Sequence, residues 1–561
     1  MIRFFTKDQY KNTVLALWAL LAIVQACFTE LMDDEAYYWV YSRHLDWGYF
    51  DHPPMIALLI KAGYALFHNE LGVRLGMVVL NVGTLVLTDK LISEKNNTVF
   101  YLILAGMGAM QLGGILAVPD IPLIFFAALY FYLYRNFLTA QNWKNTLLLG
   151  LGMALMFYSK YHGVLLVLFT VISNPHLLKL PRFWAAVLVT TALFFPHLYW
   201  QYTHDFPSVQ YHLFERNAKA YHYSYTLDYL AGQLLLFGPL VGWLLLYYAF
   251  RVPVKDSFER AMKFSLIGVL AFFALSTIKG RVEANWTVMV FAPLLALAHQ
   301  GIVRQGYSVK VLRALWVPSL VLVAVVRVYM MWDFLPGVRI RPEIHHNREW
   351  TAVVKEQAAG RPVVFLNSYQ QPSKYMFYQG ELAYSLNTIR SRRSQYNFWP
   401  MEEKLWGKEI WLASPDQHYF PGGKGRKARQ GTFYGRPVKD FYSYSLLQFI
   451  PAKSVFERKG EPEYAVRSYR FAVKNHYGKE IPVAGQGPLL RFVITTLDAV
   501  DKPADIQETE LHLADLLGKD SVDIRIPVYK SYGEYKIKLG LDAVDGLDPT
   551  HNGPYFKIVD K

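Results

Sequence analysis

The sequence is poor in cysteine and in charge. Its 561 residues include one cysteine, Cys27, so neither a disulfide framework nor a cysteine-based metal site can form within one chain. Charged residues make up only 18% of the chain, whereas 53% of its residues are apolar and 16% are aromatic. This composition excludes a disordered chain and a single compact water-soluble domain.

The scarcity of charge is confined to the first 340 residues. They hold 26 basic and 18 acidic residues, about 13% charged, whereas the last 221 residues hold 32 and 26, about 26% charged. The first part therefore resembles a protein surrounded by lipid, and we predict a membrane domain over residues 1–338. The net charge of +14 gives no reason to expect a nucleic-acid partner, because basic cytoplasmic loops are usual in membrane proteins.

Apolar runs of spanning or near-spanning length recur throughout the first part. They lie at about 13–29, 71–89, 98–118, 121–138, 145–159, 161–173, 183–199, 227–250, 261–278, 287–303 and 312–332. We therefore predict a polytopic α-helical membrane protein with about eleven transmembrane helices, and at most thirteen. The first run has no small-x-small cleavage site after it, which favours an uncleaved helix over a signal peptide.

The distribution of lysine and arginine predicts the orientation of these helices. With a cytoplasmic N-terminus, the loops on that side hold sixteen basic residues and the outer loops hold fewer. An odd number of helices then places the C-terminal part outside the cytoplasm. The outer loops contain one glycosylation sequon, Asn285-Trp286-Thr287, which favours a bacterial inner membrane with a periplasmic C-terminal part over the endoplasmic reticulum.

The C-terminal part shows the patterns of two water-soluble folds. Residues 339–455 combine helical periodicity at 347–359 and 372–379 with strand patterns at 362–366 and 409–413, which predicts a small α/β domain. Residues 456–561 contain alternating runs at 464–473, 489–496, 523–528 and 535–541 between glycines and prolines. This second pattern predicts a β-sandwich.

Three consecutive acids stand where the first helix leaves the membrane, at the start of the outer loop 30–70. Asp33, Asp34 and Glu35 could form a hydrated cluster flanking the helix, which is the commoner role of such acids, or a catalytic group. An aromatic segment, Ala36-Tyr37-Tyr38-Trp39, follows directly. Interfacial aromatic residues hold neighbouring carboxylates in place, which favours the second interpretation.

A series of ordered motifs identifies a family resemblance. Asp-Glu-Ala-Tyr-Tyr-Trp at 34–39, Gly-Tyr-Phe-Asp-His-Pro-Pro at 48–54 and Gly-Val-Arg-Leu at 72–75 are followed by Val-Pro-Asp-Ile-Pro at 118–122 and Ser-Lys-Tyr-His-Gly at 159–163. The series resembles the membrane glycosyltransferases of the C-type (GT-C) fold that use polyprenyl-phosphate sugars, such as protein O-mannosyltransferases and lipid A aminoarabinose transferases. The resemblance continues to Arg281–Trp286, with a weaker likeness at Gln395–Trp399.

The resemblance implies an inverting transfer from a polyprenyl-phosphate sugar to an acceptor protein, glycolipid or polysaccharide at the outer membrane face. Asp34 would be the catalytic base and Glu35 would orient the acceptor. Cations must stabilise the departing phosphate, and the candidate cations are Lys160, Arg216 and Arg74. Tyr161, which follows Lys160 in the sequence, is a further candidate for binding the donor phosphate. Lys160 could instead extend from a helix end to water, and Arg216 could form a surface ion pair with Glu215.

Further acidic and histidine residues are associated with the same outer face. Asp120, Glu215 and Glu283 are expected near the site without an assigned chemical step, and Asp120 also fits the N-cap of the fourth helix. Some relatives hold a divalent metal, for which Asp51, His212 and His52 are the candidate ligands of zinc, manganese or magnesium. Ordinary hydrogen bonding of these histidines is the alternative. No organic cofactor is expected.

Two other classes of protein remain compatible with the sequence. A lipid or glycan transporter or flippase could also have about eleven helices, but transporters usually have polar residues near the middle of the membrane, whereas here the charges cluster at one edge. A non-catalytic glycan or lipid receptor would leave Asp34 dispensable.

Overall fold

The computed structural model describes residues 11–212, 221–335, 337, 342–458, 462–496 and 503–560. The chain divides into two compact units, Met1–His345 and His346–Lys561. The first unit is helical, and the second unit carries the β-sheets.

The α-helices of the first unit follow one another with short connections. In chain order they are α1 (Lys11–Phe28), α2 (Asp33–Arg43), α3 (Met55–Tyr64), α4 (Glu70–Leu91), α5 (Asn97–Gly106), α6 (Gly108–Leu112), α7 (Asp120–Thr139), α8 (Trp143–Ser159), α9 (Val164–Ser173), α10 (Pro181–Thr203), α11 (Pro207–Gln210), α12 (Tyr223–Phe237), α13 (Gly242–Arg251), α14 (Ser257–Ser276), α15 (Phe291–Gln305) and α16 (Lys310–Met331). A 3₁₀ segment, Ala284–Val290, precedes α15 directly.

Six spans in the described residues are long and apolar enough to cross a membrane. They are Lys11–Phe28, Glu70–Leu91, Asp120–Thr139, Pro181–Thr203, Ala284–Gln305 and Lys310–Met331. Two bent pairs raise the number to eight, since α5 and Gly108–Ile115 meet at 76° and α12 and α13 meet at 91°. The predicted apolar helices thus exist, but the number of eleven stays a prediction, because α8 has 17 residues, α9 has 10 and α14 begins with several charged side chains.

The second unit begins with a layer of helices on a mixed sheet. Its elements are α17 (Asn347–Ala358), β1 (Val363–Leu366), α18 (Gln370–Gln379), β2 (Ala383–Leu386), β3 (Lys408–Ser414), β4 (Arg426–Ala428) and β5 (Gly431–Phe441). The strand order is β2-β1-β3-β5-β4, with β1 parallel to β2 and β3 and with the remaining pairs antiparallel. These helices and strands lie within a few residues of the positions that the sequence pattern indicates, and the division into an α/β domain over 339–455 stays a prediction.

Two further sheets contain the alternating runs from which a β-sandwich domain over 456–561 is predicted, and that domain stays a prediction. Their elements are β6 (Leu447–Pro451), β7 (Val455–Arg458), β8 (Tyr464–Asn475), β9 (Leu489–Thr496), β10 (Asp505–His512), α19 (Leu513–Leu516), β11 (Ser521–Tyr529), β12 (Tyr535–Leu541) and β13 (Phe556–Asp560). The sheet orders are β10-β9-β12-β13-β7 and β11-β8-β6. Inward residues such as Phe471, Ile494 and Ile537 are fully buried in one shared core, so both sheets are held by apolar contact.

Candidate active site

A fully buried ion pair holds the start of helix α2 against helix α4. The Arg74 Nε and Nη2 atoms donate to the two Glu35 carboxylate oxygens at 2.7 and 2.5 Å, and neither side chain is exposed to solvent. Arg74 also donates to the carbonyl oxygens of Ala26, Thr29 and Glu30. All three guanidinium nitrogens are therefore engaged by the protein itself, which does not fit the predicted contact of Arg74 with a donor phosphate.

The Glu35 carboxylate, like the Arg74 guanidinium, makes several hydrogen bonds within the protein. Its carboxylate accepts hydrogen bonds from the backbone N–H of Met32 at 3.0 Å and of Ala117 at 2.8 Å. The Met32 contact is half of a capping box at the start of α2. A buried carboxylate with four hydrogen bonds has little capacity left for an acceptor, so the geometry favours a supporting role over the predicted orienting role.

Asp34 is adjacent to this buried pair but differs from it in exposure. It is the second residue of α2 and remains partly exposed, whereas the residues from Glu35 to Ser42 are buried. The ion pair beneath Asp34 fixes the helix turn that carries it.

A second buried ion pair lies at the start of helix α7. The Lys160 Nζ atom contacts the Asp120 carboxylate at 2.8 Å, and both side chains are less than a tenth exposed. The Asn285 side-chain amide donates to the other Asp120 oxygen at 3.2 Å. Asp120 is the first residue of α7 rather than its N-cap, a position that Pro119 occupies, so the capping interpretation was wrong. The ion pair explains the acid instead.

The two ion pairs are linked through the short segment between Ala117 and Asp120. Ala117 donates to Glu35 and lies three residues before Asp120, which contacts Lys160. The structure thus brings Glu35, Arg74, Asp120 and Lys160 into one polar cluster. Asp34 precedes Glu35 of this cluster in the sequence.

Tyr161 extends this cluster toward helix α10. Its hydroxyl is 3.0 Å from His197 Nε2 and accepts from the Gln201 side chain at 3.1 Å. Gln201 also donates to the Ser208 hydroxyl, which in turn donates to the carbonyl oxygen of Tyr49 in the outer loop. The loop that follows α2 is therefore tied to the residue next to Lys160.

The predicted metal ligands lie near one another but are used for other contacts. The Asp51 carboxylate accepts from the Tyr41 hydroxyl at 2.7 Å, and His212 Nε2 bonds the main-chain oxygen of Asp51 at 2.9 Å. The rings of His52 and His212 are 6.3 Å apart. Among the described residues no group of three histidine, cysteine or acidic side chains has a metal-binding geometry. The donor set does not fit a metal, and this hypothesis is not confirmed.

The remaining predicted residues separate into two groups. Glu283 is partly exposed and contacts Arg281 at 3.5 Å, two residues before Asn285 of the Asp120 cluster. Glu215 and Arg216 lie outside the described residues.

Sequence reasoning missed His197, Gln201 and Asn285. His197 and Gln201 are buried one helical turn apart within the apolar run of α10. Polar residues at that spacing inside a spanning segment are a signal that they face the protein, and this signal could have identified them.

Comparisons with known proteins bear on the fold and on the family resemblance. A family model described as dolichyl-phosphate-mannose-protein mannosyltransferase matches residues 51–200. The chain resembles the GT-C glycosyltransferases that use polyprenyl-phosphate sugars, so the resemblance stated from its motifs is confirmed.

Particular relatives are a lipid A galacturonosyltransferase and a solved GT-C structure. Lipid A galacturonosyltransferase RgtD of Rhizobium johnstonii is 26% identical over 291 residues, which cover 48% of this chain and 60% of that protein. The crystal structure of ArnT from Cupriavidus metallidurans in the apo state is similar with a TM-score of 0.55 at 15% identity, covering 76% of this chain and 97% of ArnT. The undecaprenyl-phosphate-bound form of ArnT gives a TM-score of 0.54, also at 15% identity, over 76% of this chain and 98% of ArnT. The fold is therefore of the GT-C type, and the comparisons give the transporter alternative no support.

Proposed function

We propose that the protein is an inverting glycosyltransferase that moves a monosaccharide from a polyprenyl-phosphate donor to a hydroxyl or phosphate group of a protein, glycolipid or polysaccharide. The reaction takes place at the outer face of a bacterial inner membrane, with about eleven transmembrane helices and the C-terminal domains 339–455 and 456–561 in the periplasm. The observation that carries the proposal is the polar cluster in which Glu35 and Arg74 support the turn bearing Asp34 and connect it to Lys160.

Asp34 acts as the general base in this proposal. It accepts the proton of the acceptor hydroxyl while that oxygen attacks the anomeric carbon of the donor sugar. The bond from the anomeric carbon to the phosphate oxygen breaks, and its electron pair leaves on the phosphate. One displacement at one face inverts the anomeric centre.

Lys160 stabilises the departing phosphate. An ammonium group has three donors, and its contact with Asp120 uses one of them. Asp120, which accepts a hydrogen bond from Asn285, holds the ammonium at a buried position, where its attraction for a developing phosphate charge exceeds that in water. Arg216 remains a second candidate from its place in the motif series, and Tyr161 positions the segment beside Lys160.

The proposal is tested by replacing Asp34 with asparagine. Cells that lack the protein are complemented with the wild type or with Asp34→Asn, and mass spectrometry measures the added monosaccharide on envelope glycolipids and proteins. General-base removal lowers transfer by about a hundredfold or more. The co-purified polyprenyl phosphate is measured in parallel and is expected to stay at the wild-type level.

Asp33→Asn is the matched control, because Asp33 is the neighbouring acid with similar partial exposure in the first turn of α2. It is expected to transfer sugar normally. Retained transfer by Asp34→Asn would remove the base assignment. A wild-type protein that changes no glycan but moves lipid across the bilayer would favour the transporter instead.

A further inference from the structure

A break between helices α5 and α6 interrupts one apolar segment of the first unit. The axes of Asn97–Gly106 and Gly108–Ile115 meet at 76°, and Met107 between them has non-helical backbone angles. A break inside a membrane segment frees main-chain carbonyl groups, which other side chains must then bind. In this structure polar side chains from α4, α6 and α16 bind them.

Gln111 and Asn81 bind carbonyl groups on the two sides of the break. The Gln111 side-chain amide donates to the carbonyl oxygen of Ala105, near the end of α5, at 3.0 Å. The Asn81 amide, near the middle of α4, donates to the carbonyl oxygen of Met110 in α6 at 3.1 Å. The Asn81 side-chain oxygen accepts from the indole of Trp18 at 2.7 Å. Because an indole N–H can only donate, this contact fixes which end of the amide faces α6.

Asn81 also lies very close to the chain just after α6. A Cβ atom on Gly114 would lie 1.8 Å from the Asn81 amide nitrogen. Asn81 is buried and is held by Trp18 and Met110, so it cannot move aside, and glycine is required at this position.

Arg327 of α16 adds a charged group to these contacts. Its Nη2 atom donates to the carbonyl oxygen of Gln111 at 2.9 Å, and its Nη1 atom donates to that of Leu21 in α1 at 2.8 Å. A guanidinium group on a spanning helix is costly, and the protein tolerates it where its donors are bound. The planar guanidinium reaches two separate carbonyl groups, so one side chain joins α1, α6 and α16.

The end of α6 leads directly to the candidate active site. One 3₁₀ turn, Gly113–Ile115, separates α6 from residues Leu116–Asp120, which we call the site segment. The Ala117 N–H of the site segment donates to Glu35, and the last residue of the segment contacts Lys160. A displacement of α6 would therefore be transmitted to both buried ion pairs.

We propose that Arg327 and Asn81 are positioning residues for sugar transfer. They hold the end of α6, and through it the site segment, so that Lys160 lies where the phosphate departs. The inference rests on the proposed function, because its effect is on that reaction. A misplacement of about 1 Å at a reacting group can lower the rate by about a hundredfold, so a distant contact of this kind affects the chemical step.

The test replaces each positioning residue by an apolar one, in Arg327→Met and Asn81→Leu. Sugar added to envelope glycans is measured in complemented cells, and the full chain purified from them is titrated with undecaprenyl phosphate to count binding sites. We expect the transfer rate per site to fall about tenfold or more, with the number of sites per chain unchanged. Hydrogen exchange of the site segment is expected to become faster, because its support is lost.

Each variant has a matched control on its own helix. Arg313→Met removes the same charge from an exposed position of α16. Thr84→Val removes a buried polar group one turn from Asn81, where the hydroxyl donates within α4 to the carbonyl oxygen of Leu80. Both controls are expected to transfer sugar and to exchange hydrogen in the site segment as the wild type does.

Arg327→Lys separates geometry from charge. An ammonium group keeps the charge but lacks the planar fork that reaches two carbonyl groups, so we expect only partial recovery of transfer. Full recovery would assign the effect to charge and overturn the positioning role. Fewer binding sites with an unchanged rate per site, or unchanged hydrogen exchange of the site segment, would overturn it as well. A wild-type protein that transfers no sugar would instead remove the proposed function, and hydrogen exchange alone would then decide whether these contacts hold the site segment.

Discussion

Two adjacent carboxylates, Asp34 and Glu35, occupy different environments. Glu35 is buried against Arg74 and two backbone N–H groups, whereas Asp34 stays partly exposed on the same helix turn. A buried charge is tolerated only when it is paired and hydrogen-bonded, so the Glu35 carboxylate has a structural role. Asp34, which is partly exposed, is the acid that we propose as the base.

Lys160 and Asp120 provide a prediction that separates chemistry from stability. Lys160→Met leaves Asp120 buried without its cation, which destabilises the protein by about 3–5 kcal/mol. The double variant Lys160→Met/Asp120→Leu removes both charges and is expected to regain most of that stability. Its transfer rate stays about a hundredfold or more below the wild type if Lys160 also stabilises the phosphate. Thermal unfolding and sugar transfer are measured on all three variants, and restored transfer would reduce Lys160 to a structural partner.

The stability of the second unit is expected to depend on pH through His551. Its folded-state pKa lies well below the ordinary value of 6.5, so below pH 6.5 the unfolded chain binds more protons than the folded one. The stabilisation is complete above that pH and is lost as the pH falls, by up to about 1.4 kcal/mol per pH unit. Hydrogen exchange of β12 amides at pH 7.5 and 5.0, corrected for intrinsic rates, measures the effect.

The control for this pH effect is an exposed histidine of the same unit. His551 accepts a hydrogen bond from Lys538 Nζ through Nδ1 and donates one through Nε2 to the carbonyl oxygen of Ser391. His551→Gln is expected to flatten the pH dependence, because a glutamine side chain can make both hydrogen bonds without titrating. His418→Gln should leave the dependence as it is. An identical slope in His551→Gln would contradict the assignment.

At the scale of elements, the turns around the candidate site are set by close contacts. A Cβ atom on Gly48 would lie 2.4 Å from the Trp200 ring, so the outer loop approaches α10 at a position where only glycine fits. Asp205 and Phe206 have positive φ angles of 59° and 52° just before α11. That strained turn delivers Ser208 to the carbonyl oxygen of Tyr49. The hydrogen bond from Ser208 to Tyr49 compensates for the backbone strain of Asp205 and Phe206.

Gly72 at the start of α4 gives a prediction on this scale. A Cβ atom there would lie 1.7 Å from the carbonyl oxygen of Phe67, so Gly72→Ala must move the helix that carries Arg74. We expect a loss of about 1–3 kcal/mol in stability and lower sugar transfer, because the ion pair below Asp34 is displaced. Thermal unfolding in detergent and the transfer assay measure both.

Gly113→Ala is the matched control, since no atom lies within 4 Å of a Cβ placed there. It should unfold and transfer sugar as the wild type does. Equal behaviour of the two variants would contradict the role of the Gly72 contact.

At the scale of the whole molecule, the loops that were assigned to one membrane side contact one another. Near the predicted cytoplasmic ends, Asp89 contacts both Lys11 and Lys95, and Arg304 contacts Glu94 and Glu259. Near the predicted outer ends, the Glu35–Arg74 and Asp120–Lys160 pairs join. This segregation agrees with the alternation of loops that the basic residues predict.

Labelling of single cysteines tests that orientation. Because Cys27 is the only cysteine, Cys27→Ser gives a background in which one exposed position at a time is changed. A membrane-impermeant maleimide is expected to label Leu45→Cys and Lys424→Cys in intact spheroplasts, and Gln141→Cys only after permeabilisation. Labelling of Lys424→Cys and Gln141→Cys under the same condition would contradict the proposed odd number of spans.

The sequence by itself determined the membrane domain, the soluble C-terminal part and the motifs that identify the GT-C resemblance. These properties follow from local patterns, because apolar runs, alternation and short motifs depend on neighbours in the chain. It also made Asp34 and Lys160 candidates.

Tertiary structure alone decided which charges pair. Arg74 and Lys160 look alike as outer cations, yet Arg74 is fully engaged by Glu35 and backbone carbonyls. Lys538 reaches the segment Thr388–Ser391 only through the Thr388–Thr550 bridge and through His551, which contacts both Lys538 and the carbonyl oxygen of Ser391. Pairing and burial depend on contacts between distant segments, and these contacts fix the free energy of each charge.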